Sequence, residues 1–340
     1  MKALKYIFLL LLLIVVAGAI YLATLDGKYD VQRSKVIKAP VEVVYNEVND
    51  YKTWSSWSPW LWKDPSTEIT YGESTSGKGA SYAWNSNNKD VGAGNAETLE
   101  SIANKSIDQK IVFTKPWESE SNIYWTFEPA EGGTKVTWGM KGEMPFMARY
   151  MAAKMDEYVG ADYESGLSKL DSVVQVNMKK YTVVVNGETT HGGGYYIYNT
   201  TSCKIDELES KIQEMMPKVG MYVYKNKINT AGMPFSLYHK FDSENNAVIF
   251  SCAVPVTDRV ITAADSGLQT GMLKPFKAIK TTLKGNYTNL KEAWETGYKY
   301  LADNGLEQTA GVPALELYTN DPGKFSNPAD WITEIYIPIK

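Results

Sequence analysis

Two stretches, AGMPFSLYHKFD at 231–242 and AGVPALELYTND at 310–321, repeat one pattern and decide the fold of the second half of the chain. Each begins with the turn Ala-Gly-x-Pro and continues into residues that suit a β-strand. Downstream, SCAVPV ends at Val256 and EIYIPI ends at Ile339, so each copy closes on a second strand with the same apolar-Pro-apolar ending. The repeat predicts two related structural units.

A helix is predicted before each copy of this repeat. IDELESKIQEMMPKVGMYVY, residues 205–224, precedes the first copy, and TNLKEAWETGYKYLADNG, residues 288–305, precedes the second. The second helix ends with Gly305, in the place that a helix C-terminus prefers. Two β-α-β-β units therefore predict a sheet with pseudo-two-fold symmetry and a groove between its two helices.

This layout resembles the GyrI-like small-molecule-binding domain, which also serves as the effector-binding domain of multidrug regulators of the AraC and MerR types. The residues that carry the resemblance are AGMPFSLYH, LKGNYTNLKEAWETGYKYLADNGL, GVPALELYTNDP and TEIYIPIK, and it covers residues 180–340. No helix-turn-helix is predicted beside them, so the regulator role is not carried over. NGETTHGGGYY, near the start, predicts a hinge or hairpin turn with His191 as an exposed loop residue.

Glu316 is the acid of the second copy, and its surroundings are apolar. In a strand, Glu316 shares a face with Ala314 and Tyr318, and the pattern alone favours a solvent-facing position. The repeat, however, aligns Leu237 with Glu316, so the fold does not need an acid there. In the resembled family, the acid of P-x-x-E-x-Y sits at the base of the ligand groove, which makes Glu316 the first candidate for binding or catalysis.

Aromatic side chains are expected to surround Glu316. A carboxylate among aromatic faces attracts an apolar cation, or acts as a base when burial raises its pKa. Trp294 and Tyr298 are four residues apart on one helix, where core packing is the other interpretation. Glu334, a second acid on an alternating strand, is interpreted as a surface residue. The candidate ligand-binding residues are Glu316, Tyr318, Tyr238, Tyr287, Trp294 and Tyr298.

The first half of the chain predicts an antiparallel sheet closed by a long helix. Residues 31–37 suit a strand, Pro40 begins a helix to about Asp50, and β-branched runs follow. From Phe146 to about Met178 the spacing becomes helical. The residues expected on one helical face are Met147, Met151, Met155, Val159, Tyr163, Leu167, Leu170 and Val174.

VIKAPVEVVYNEVNDYKTWSSWSPW, GTKVTWGMKGEMPF and MDEYVGADYESGLSKL resemble the polyketide cyclase-like members of the SRPBCC superfamily, over residues 30–175. The resemblance implies a helix-grip fold at 30–178 with a cavity for an apolar ligand. Trp54, Trp57, Trp60 and Trp62 could line the mouth of this cavity or pack a loop onto the sheet. This half contains no His and no Cys, which leaves few groups for catalysis.

An apolar stretch at residues 6–25 predicts a transmembrane helix, because about 20 apolar residues span a bilayer. A cleaved signal peptide is the rival interpretation, since Ala17-Gly18-Ala19 resembles a cleavage site. Lys2 and Lys5 place the N-terminus inside. The expected organisation is an anchor at 1–26 in the inner membrane, with a single pass and the α+β domains 30–178 and 180–340 on the extracytoplasmic side.

Composition excludes several functional classes. The net charge is −4 without long basic runs, so we expect no nucleic-acid partner. Cys203, Cys252, His191 and His239 are the only cysteines and histidines, so neither a metal site nor a cofactor is expected.

Three functions remain open on the sequence. The first is a membrane-anchored protein that binds hydrophobic or cationic small molecules in the groove, and in the helix-grip cavity as well. The second is a hydrolase of strained or electrophilic compounds with Glu316 as the catalytic residue, as in some GyrI-like proteins. The third is a partner-binding protein whose cavities hold no ligand.

Overall fold

The computed structural model describes residues 2–116 and 118–340. Met1, at which the predicted anchor begins, and Trp117 lie outside the described residues. The chain forms two compact units, Met1–Asn177 and Met178–Lys340. Each combines helices with one antiparallel sheet, which confirms the predicted α+β class.

The first unit contains one seven-stranded antiparallel sheet in the order β1-β7-β6-β5-β4-β3-β2. Its elements are α1 Lys2–Thr24, β1 Lys28–Ile37, α2 Val41–Asn49, α3 Pro59–Lys63, β2 Glu68–Tyr71, β3 Ser81–Asn85, β4 Ala93–Ile102, β5 Ser106–Lys115, β6 Ser119–Ala130, β7 Gly133–Glu143, a 3-10 helix Phe146–Lys154 and α4 Met155–Met178.

Alternation along β6 and β7 gives this sheet its apolar face. Ile123, Trp125 and Phe127 are buried on β6, and Trp138 and Met140 are buried on β7. The buried face of α4 supplies Met155, Tyr163, Leu167, Leu170 and Val174. Stacking of Tyr163 on Trp138 brings helix and sheet together, as expected for a helix-grip fold.

The start of the last helix differs from the prediction. Residues 146–154 form a 3-10 helix, and Met147 is 74% exposed. A 3-10 helix has three residues per turn, so Met147, Met151 and Met155 cannot share one face as they would in an α-helix. The predicted apolar row therefore begins at Met155, and Met147 is not part of the core.

The second unit contains one eight-stranded antiparallel sheet in the order β12-β9-β11-β10-β14-β15-β13-β8. Its elements are β8 Thr182–His191, β9 Gly194–Lys204, α5 Leu208–Lys225, β10 Phe235–Asp242, β11 Ala247–Val256, β12 Gln269–Leu273, β13 Phe276–Lys284, α6 Leu290–Asp303, β14 Ala314–Tyr318 and β15 Ile332–Pro338.

The strand order places the two copies of the repeat symmetrically, with a pseudo-two-fold axis between β10 and β14. The units β9-α5-β10-β11 and β13-α6-β14-β15 occupy equivalent places on either side of it. Two further strands are exchanged between the halves, because β8 pairs with β13 and β12 pairs with β9. His191 is the last residue of β8, half-buried and stacked on Phe276 at 5.1 Å, so the expectation of an exposed loop residue is wrong.

Each helix of the second unit covers its own half of the sheet. α5 packs Met215, Val219 and Val223 onto residues that include Val254 and Phe250. α6 packs Ala293 and Leu301 onto a cluster that includes Ile279, Ile335 and Ile337. β10 and β14 form the middle of the sheet between these two halves.

One described helix is long and apolar enough to cross a membrane. It spans Leu4–Thr24 within α1 with a mean hydropathy of 2.8, and none of that stretch is buried inside the protein. A signal sequence near the N-terminus has the same properties.

Candidate functional site

Glu316 occupies the middle of the eight-stranded sheet. It lies on β14, opposite Ser236 of β10 on one side and Ile335 of β15 on the other. Its exposed fraction is 2%, so the solvent-facing position that the strand pattern alone favours is wrong. The helix α6 covers this face of the sheet and makes the acid an internal group.

Both carboxylate oxygens of Glu316 accept hydrogen bonds from aromatic residues. Trp294 Nε1 donates to Oε1 at 2.5 Å, and the Tyr318 hydroxyl donates to Oε2 at 3.1 Å. The hydroxyls of Tyr318 and Ser236 are 2.9 Å apart, and the Tyr238 hydroxyl is near enough to the carboxyl group to oppose the rise in its pKa. The acid is therefore held in one orientation by donors from α6 and β14.

Aromatic rings surround this carboxyl group. The Glu316 cluster is our name for Glu316 together with Tyr238, Tyr287, Trp294, Tyr298 and Tyr318. Tyr238 meets Trp294 edge-on at 5.4 Å, and Tyr298 stacks on Trp294 at 6.0 Å. Tyr287 meets Tyr318 edge-on at 5.7 Å. The structure thus brings together all the candidate ligand-binding residues: Glu316, Tyr318, Tyr238, Tyr287, Trp294 and Tyr298.

Two neighbours of this cluster were not predicted. Trp331 packs on Tyr287 at 4.8 Å, and Ser236 reaches Tyr318. The signal for Ser236 is its place two residues after the Ala-Gly-x-Pro turn, but only the pairing of β10 with β14 puts it opposite the acid. Trp331 lies on the segment before β15, and the sequence pattern does not connect it to the groove.

Burial changes the proton affinity of these groups. It raises the pKa of Glu316 above its ordinary value, while the hydrogen bonds from Trp294, Tyr238 and Tyr318 oppose that rise. Burial and the nearby Glu316 raise the pKa of Tyr287 to about 12. The cluster therefore contains a carboxyl group whose ionised form is disfavoured by burial, and tyrosine donors that stay protonated. Such a site can bind a cation or move a proton at a carboxyl oxygen.

Glu334 lies one strand away, on the opposite face of the sheet. It pairs with Lys280 at 2.5 Å and accepts a hydrogen bond of 2.7 Å from the Tyr336 hydroxyl. Its side chain is 19% exposed, so it is partly buried and not the free surface acid that was expected. An ion pair satisfies Glu334, whereas the contacts described for Glu316 include no cation.

The first unit has a cavity of about 280 Å³ between its sheet and α4. Lys63, Asp90 and Tyr158 line it and are exposed, so they mark its opening. Lys63 Nζ contacts Asp162 Oδ2 at 2.6 Å, which ties α3 to α4 beside this opening. The inner lining includes Trp54, Trp60, Tyr82, Trp84, Phe113, Trp138, Met140 and Tyr163.

Stacked rings form one wall of this cavity. Trp138 stacks on Trp125 at 4.4 Å and on Tyr163 at 4.0 Å. Trp125 Nε1 donates to Gln109, but neither Trp138 Nε1 nor the Tyr163 hydroxyl has a hydrogen-bond partner among the residues that the structure describes. Both atoms are buried. The wall therefore offers two unused polar groups beside an aromatic space.

Some tryptophans of the WSSWSPWLW segment line the cavity, and others pack against the sheet or lie at the surface. Trp57 is fully buried and packs against Trp125 and Trp138. Trp54 and Trp60 line the cavity. Trp62 is 40% exposed, and the Lys169 amino group lies 4.9 Å from the centre of its ring.

Within residues 2–116 and 118–340, no group of three His, Cys, Asp or Glu side chains could hold a metal ion. Both cysteines are free thiols, Cys252 buried and Cys203 half-buried. Burial raises the pKa of Cys252 to about 12, so this thiol stays protonated near Glu316.

Two family models match the chain, in the predicted order. The model of the polyketide cyclase / dehydrase and lipid transport family matches residues 28–175. The model of the GyrI-like small molecule binding domain matches residues 195–340. No curated protein matches the chain.

Three of the similar solved structures each cover less than half of this chain. The EcmrR C-terminal domain is 19% identical, covers 47% of this chain and 98% of its own, and has a TM-score of 0.41. Protein CV1439 from Chromobacterium violaceum is 17% identical, with coverages of 43% and 96% and a TM-score of 0.32. SAV2435, solved with tetraphenylphosphonium, is 13% identical, with coverages of 47% and 94% and a TM-score of 0.35.

Each family model matches residues of one of the two compact units. The GyrI-like match also includes both copies of the sequence repeat. The chain combines a domain of the polyketide cyclase / dehydrase and lipid transport family with a GyrI-like small-molecule-binding domain.

Proposed function

We propose that this protein is a membrane-anchored small-molecule-binding protein whose second domain holds a hydrophobic cation against Glu316. The observation that carries the proposal is the burial of this carboxyl group under aromatic rings, with hydrogen bonds but no described cation. An ionised carboxylate inside a protein is costly without a counter-charge. A bound cation supplies that charge, and the surrounding aromatic faces attract it further.

Access to Glu316 requires movement of an aromatic side chain, because the acid is 2% exposed. Tyr298 is 43% exposed and stacks on Trp294, so these two residues of α6 form the outer layer of the cluster. A cation that displaces Trp294 takes over its place beside Oε1. Large flat apolar groups on the cation then stack on the displaced rings.

The proposal includes an anchor and a second ligand site. The apolar helix Leu4–Thr24, with Lys5 near its start, supports a single pass through the inner membrane with domains 30–178 and 180–340 on the extracytoplasmic side. The aromatic cavity of about 280 Å³ supports a hydrophobic ligand in the first domain.

A hydrolase of electrophilic small molecules is the second candidate function. Its supporting observation is the raised pKa of Glu316, because a carboxylate of raised proton affinity is a better general base near neutral pH. In this reaction Glu316 takes a proton from water as the water oxygen bonds to the electrophilic ring carbon. A carbon–carbon bond of the strained ring breaks, and the carbon that keeps its electron pair receives the proton back from Glu316. Tyr238 or Trp294 would direct the water.

The experiment compares the full chain with Glu316→Gln and Glu334→Gln in detergent. Binding of tetraphenylphosphonium, a hydrophobic cation, is measured by calorimetry, and turnover is followed with a cyclopropane-containing electrophile. Glu334→Gln is a matched control, because it removes an acid from the same sheet on its other face. We expect Glu316→Gln to weaken cation binding at least tenfold, about 1.4 kcal/mol, and Glu334→Gln to leave it within about twofold.

The outcomes separate the three functions. Saturable binding that depends on Glu316, without turnover, supports the binding protein. Turnover that Glu316→Gln abolishes supports the hydrolase instead. If the wild-type protein neither binds the cation nor turns over the electrophile, the proposed cation site is wrong and the partner-binding function gains support.

A further inference from the structure

The 3-10 helix Phe146–Lys154 lies at the end of the first domain where α1 joins it. The Met144 amide donates to the Gly27 carbonyl at 2.8 Å, and the 3-10 helix contacts α1 directly. A Cβ atom on Gly27 would lie 3.0 Å from the Met144 oxygen and 3.1 Å from Arg149 Cγ. The chain that leaves α1 therefore passes tightly against this helix.

The strands of the first sheet define this end of the domain. Lys28 pairs with Glu143 at the end next to α1, whereas Ile102 pairs with Ser106 in the turn at the other end. A ten-residue strand is about 33 Å long, so the two ends are separated by roughly that distance. Only three residues separate Thr24 from Lys28, a reach of roughly 10–14 Å, which keeps the first end close to the end of α1.

Three large apolar side chains are exposed on this 3-10 helix. Phe146 is 42% exposed, Met147 is 74% exposed and Tyr150 is 55% exposed. We call these three residues the basal patch. The Arg149 guanidinium lies 5.4 Å from the centre of the Phe146 ring, so a cationic group borders the patch. Aromatic, apolar and basic side chains together are typical of the interface between water and lipid.

We propose that the basal patch lies in the headgroup region of the bilayer that α1 enters, so that the first domain rests on the membrane surface. The inference depends on the proposed membrane anchoring of α1. A lipid surface fits this patch because the apolar helix Leu4–Thr24 belongs to α1, which lies against the 3-10 helix that carries the patch. Burial of three exposed apolar side chains at the interface then stabilises one orientation of the domain on the bilayer.

This orientation has a consequence for the cavity of the first domain. α4 begins at Met155, directly after the 3-10 helix, and its first turns supply Tyr158 and Val159 to the cavity lining. Tyr158 is exposed at the opening. The opening therefore lies toward the end of the domain that faces the bilayer, and a ligand dissolved in lipid has a short path to it.

The experiment places a polarity-sensitive, thiol-reactive fluorophore on the full chain, with Cys203 and Cys252 both replaced by Ser. Three single variants are labelled and reconstituted into vesicles with or without brominated lipids: Leu13→Cys, Met147→Cys and Ile102→Cys. Leu13 reports on the anchor, Met147 on the basal patch, and Ile102, an exposed apolar side chain at 44%, on the opposite end of the domain.

We expect brominated lipids to quench the fluorophores at residues 13 and 147 at least twofold and to leave the one at residue 102 unchanged. Quenching at residue 13 alone would overturn the basal patch while leaving the anchor in place. Quenching at none of the three positions would overturn the anchor, and the inference with it. Equal quenching at residues 147 and 102 would show that the domain has no preferred orientation, which also contradicts the inference.

Discussion

Trp294 Nε1 donates a hydrogen bond of 2.5 Å to Glu316 Oε1, and this bond joins helix α6 to the centre of the sheet. The two residues come from different elements of one repeat unit. A hydrogen bond to an ionised acceptor contributes more to stability than one between neutral groups. The same contact therefore supports the position of α6 and the orientation of the proposed ligand-binding acid.

Trp294→Phe tests this contact, because it keeps most of the ring and removes the donor. We expect the free energy of unfolding to fall by about 1.5–3 kcal/mol at neutral pH, the usual value for a hydrogen bond to a charged group. Urea unfolding followed by circular dichroism measures the change. Trp331→Phe is the control, because its Nε1 donates to the neutral carbonyl of Phe325 at 2.8 Å and should cost less. Equal losses in the two variants would contradict a charged acceptor at Glu316.

The raised pKa of Glu316 predicts how stability depends on pH. The folded state holds this proton more tightly than the unfolded state, so the folded state binds more protons in the interval between the two pKa values. Stability from this group is fully present below the ordinary carboxyl pKa and is lost as the pH rises through the raised value. Relative to Glu316→Gln, wild type should therefore become less stable from about pH 4 upward.

Parallel unfolding measurements on wild type and Glu316→Gln between about pH 4 and pH 9 test this sign. Each unit by which the folded pKa is raised corresponds to about 1.4 kcal/mol. The free energy of unfolding of wild type minus that of Glu316→Gln should fall as the pH rises and then level off. If this signed difference stays constant or rises with pH, the folded protein does not raise this pKa.

Much of the second domain could be predicted from its repeat. The two Ala-Gly-x-Pro turns predict the order helix, strand, strand in each half. Strand alternation, helix spacing and family resemblance together predict the residues around Glu316. Alternation alone placed Glu316 on the surface, since it does not say which face of a strand a helix will cover. The covering helix, α6, supplies Trp294 and decides that point.

The exchange of β8 and β12 could not be predicted from local pattern. Thr182 pairs with Lys284, about a hundred residues away, and nothing in the local sequence specifies that partner. Similarly, the exposure of Met147 depends on a 3-10 turn that has nearly the same sequence signature as an α-helix. In the first cavity, the free Trp138 and Tyr163 groups follow from packing across sheet and helix, which sequence periodicity does not describe.

Tyr163→Phe tests the unused polar groups of the first cavity. The Tyr163 hydroxyl is buried without a described partner, and an unsatisfied buried polar group costs about 1–3 kcal/mol. We therefore expect the ligand-free variant to be as stable as wild type or more stable, by up to that amount. Tyr45→Phe is the control, because the Tyr45 hydroxyl is 2.5 Å from Ser101 Oγ and its removal should lower stability by about 0.5–1.5 kcal/mol.

Thermal unfolding of the two variants distinguishes a free hydroxyl from a bonded one. If Tyr163→Phe destabilises the protein as much as Tyr45→Phe does, then the hydroxyl has a partner, such as a bound water. A gain in stability together with weaker binding of a ligand that carries a hydrogen-bond acceptor would indicate that the hydroxyl serves the ligand.

Gly297 sets how closely α6 approaches the sheet, one turn after Trp294. A Cβ atom at this position would lie 2.9 Å from both Thr281 Oγ1 and Ile337 Cδ1. Thr281 is fully buried on β13, so we expect its side chain to resist displacement and Gly297→Ala to push α6 outward. Overpacking of this kind costs about 1–3 kcal/mol, and the gain in helix propensity offsets at most about 1 kcal/mol of it.

Gly220→Ala, on the equivalent helix α5, provides the matched control. Nothing lies within 4 Å of a Cβ atom at Gly220, so the substitution should raise the free energy of unfolding by about 1 kcal/mol through helix propensity alone. We expect Gly297→Ala to be less stable than Gly220→Ala by about 1–3 kcal/mol and to bind tetraphenylphosphonium more weakly, because Trp294 moves with α6. Equal stability of the two variants would show that α6 tolerates the displacement, and unchanged binding would show that the spacing between α6 and Glu316 does not control the site.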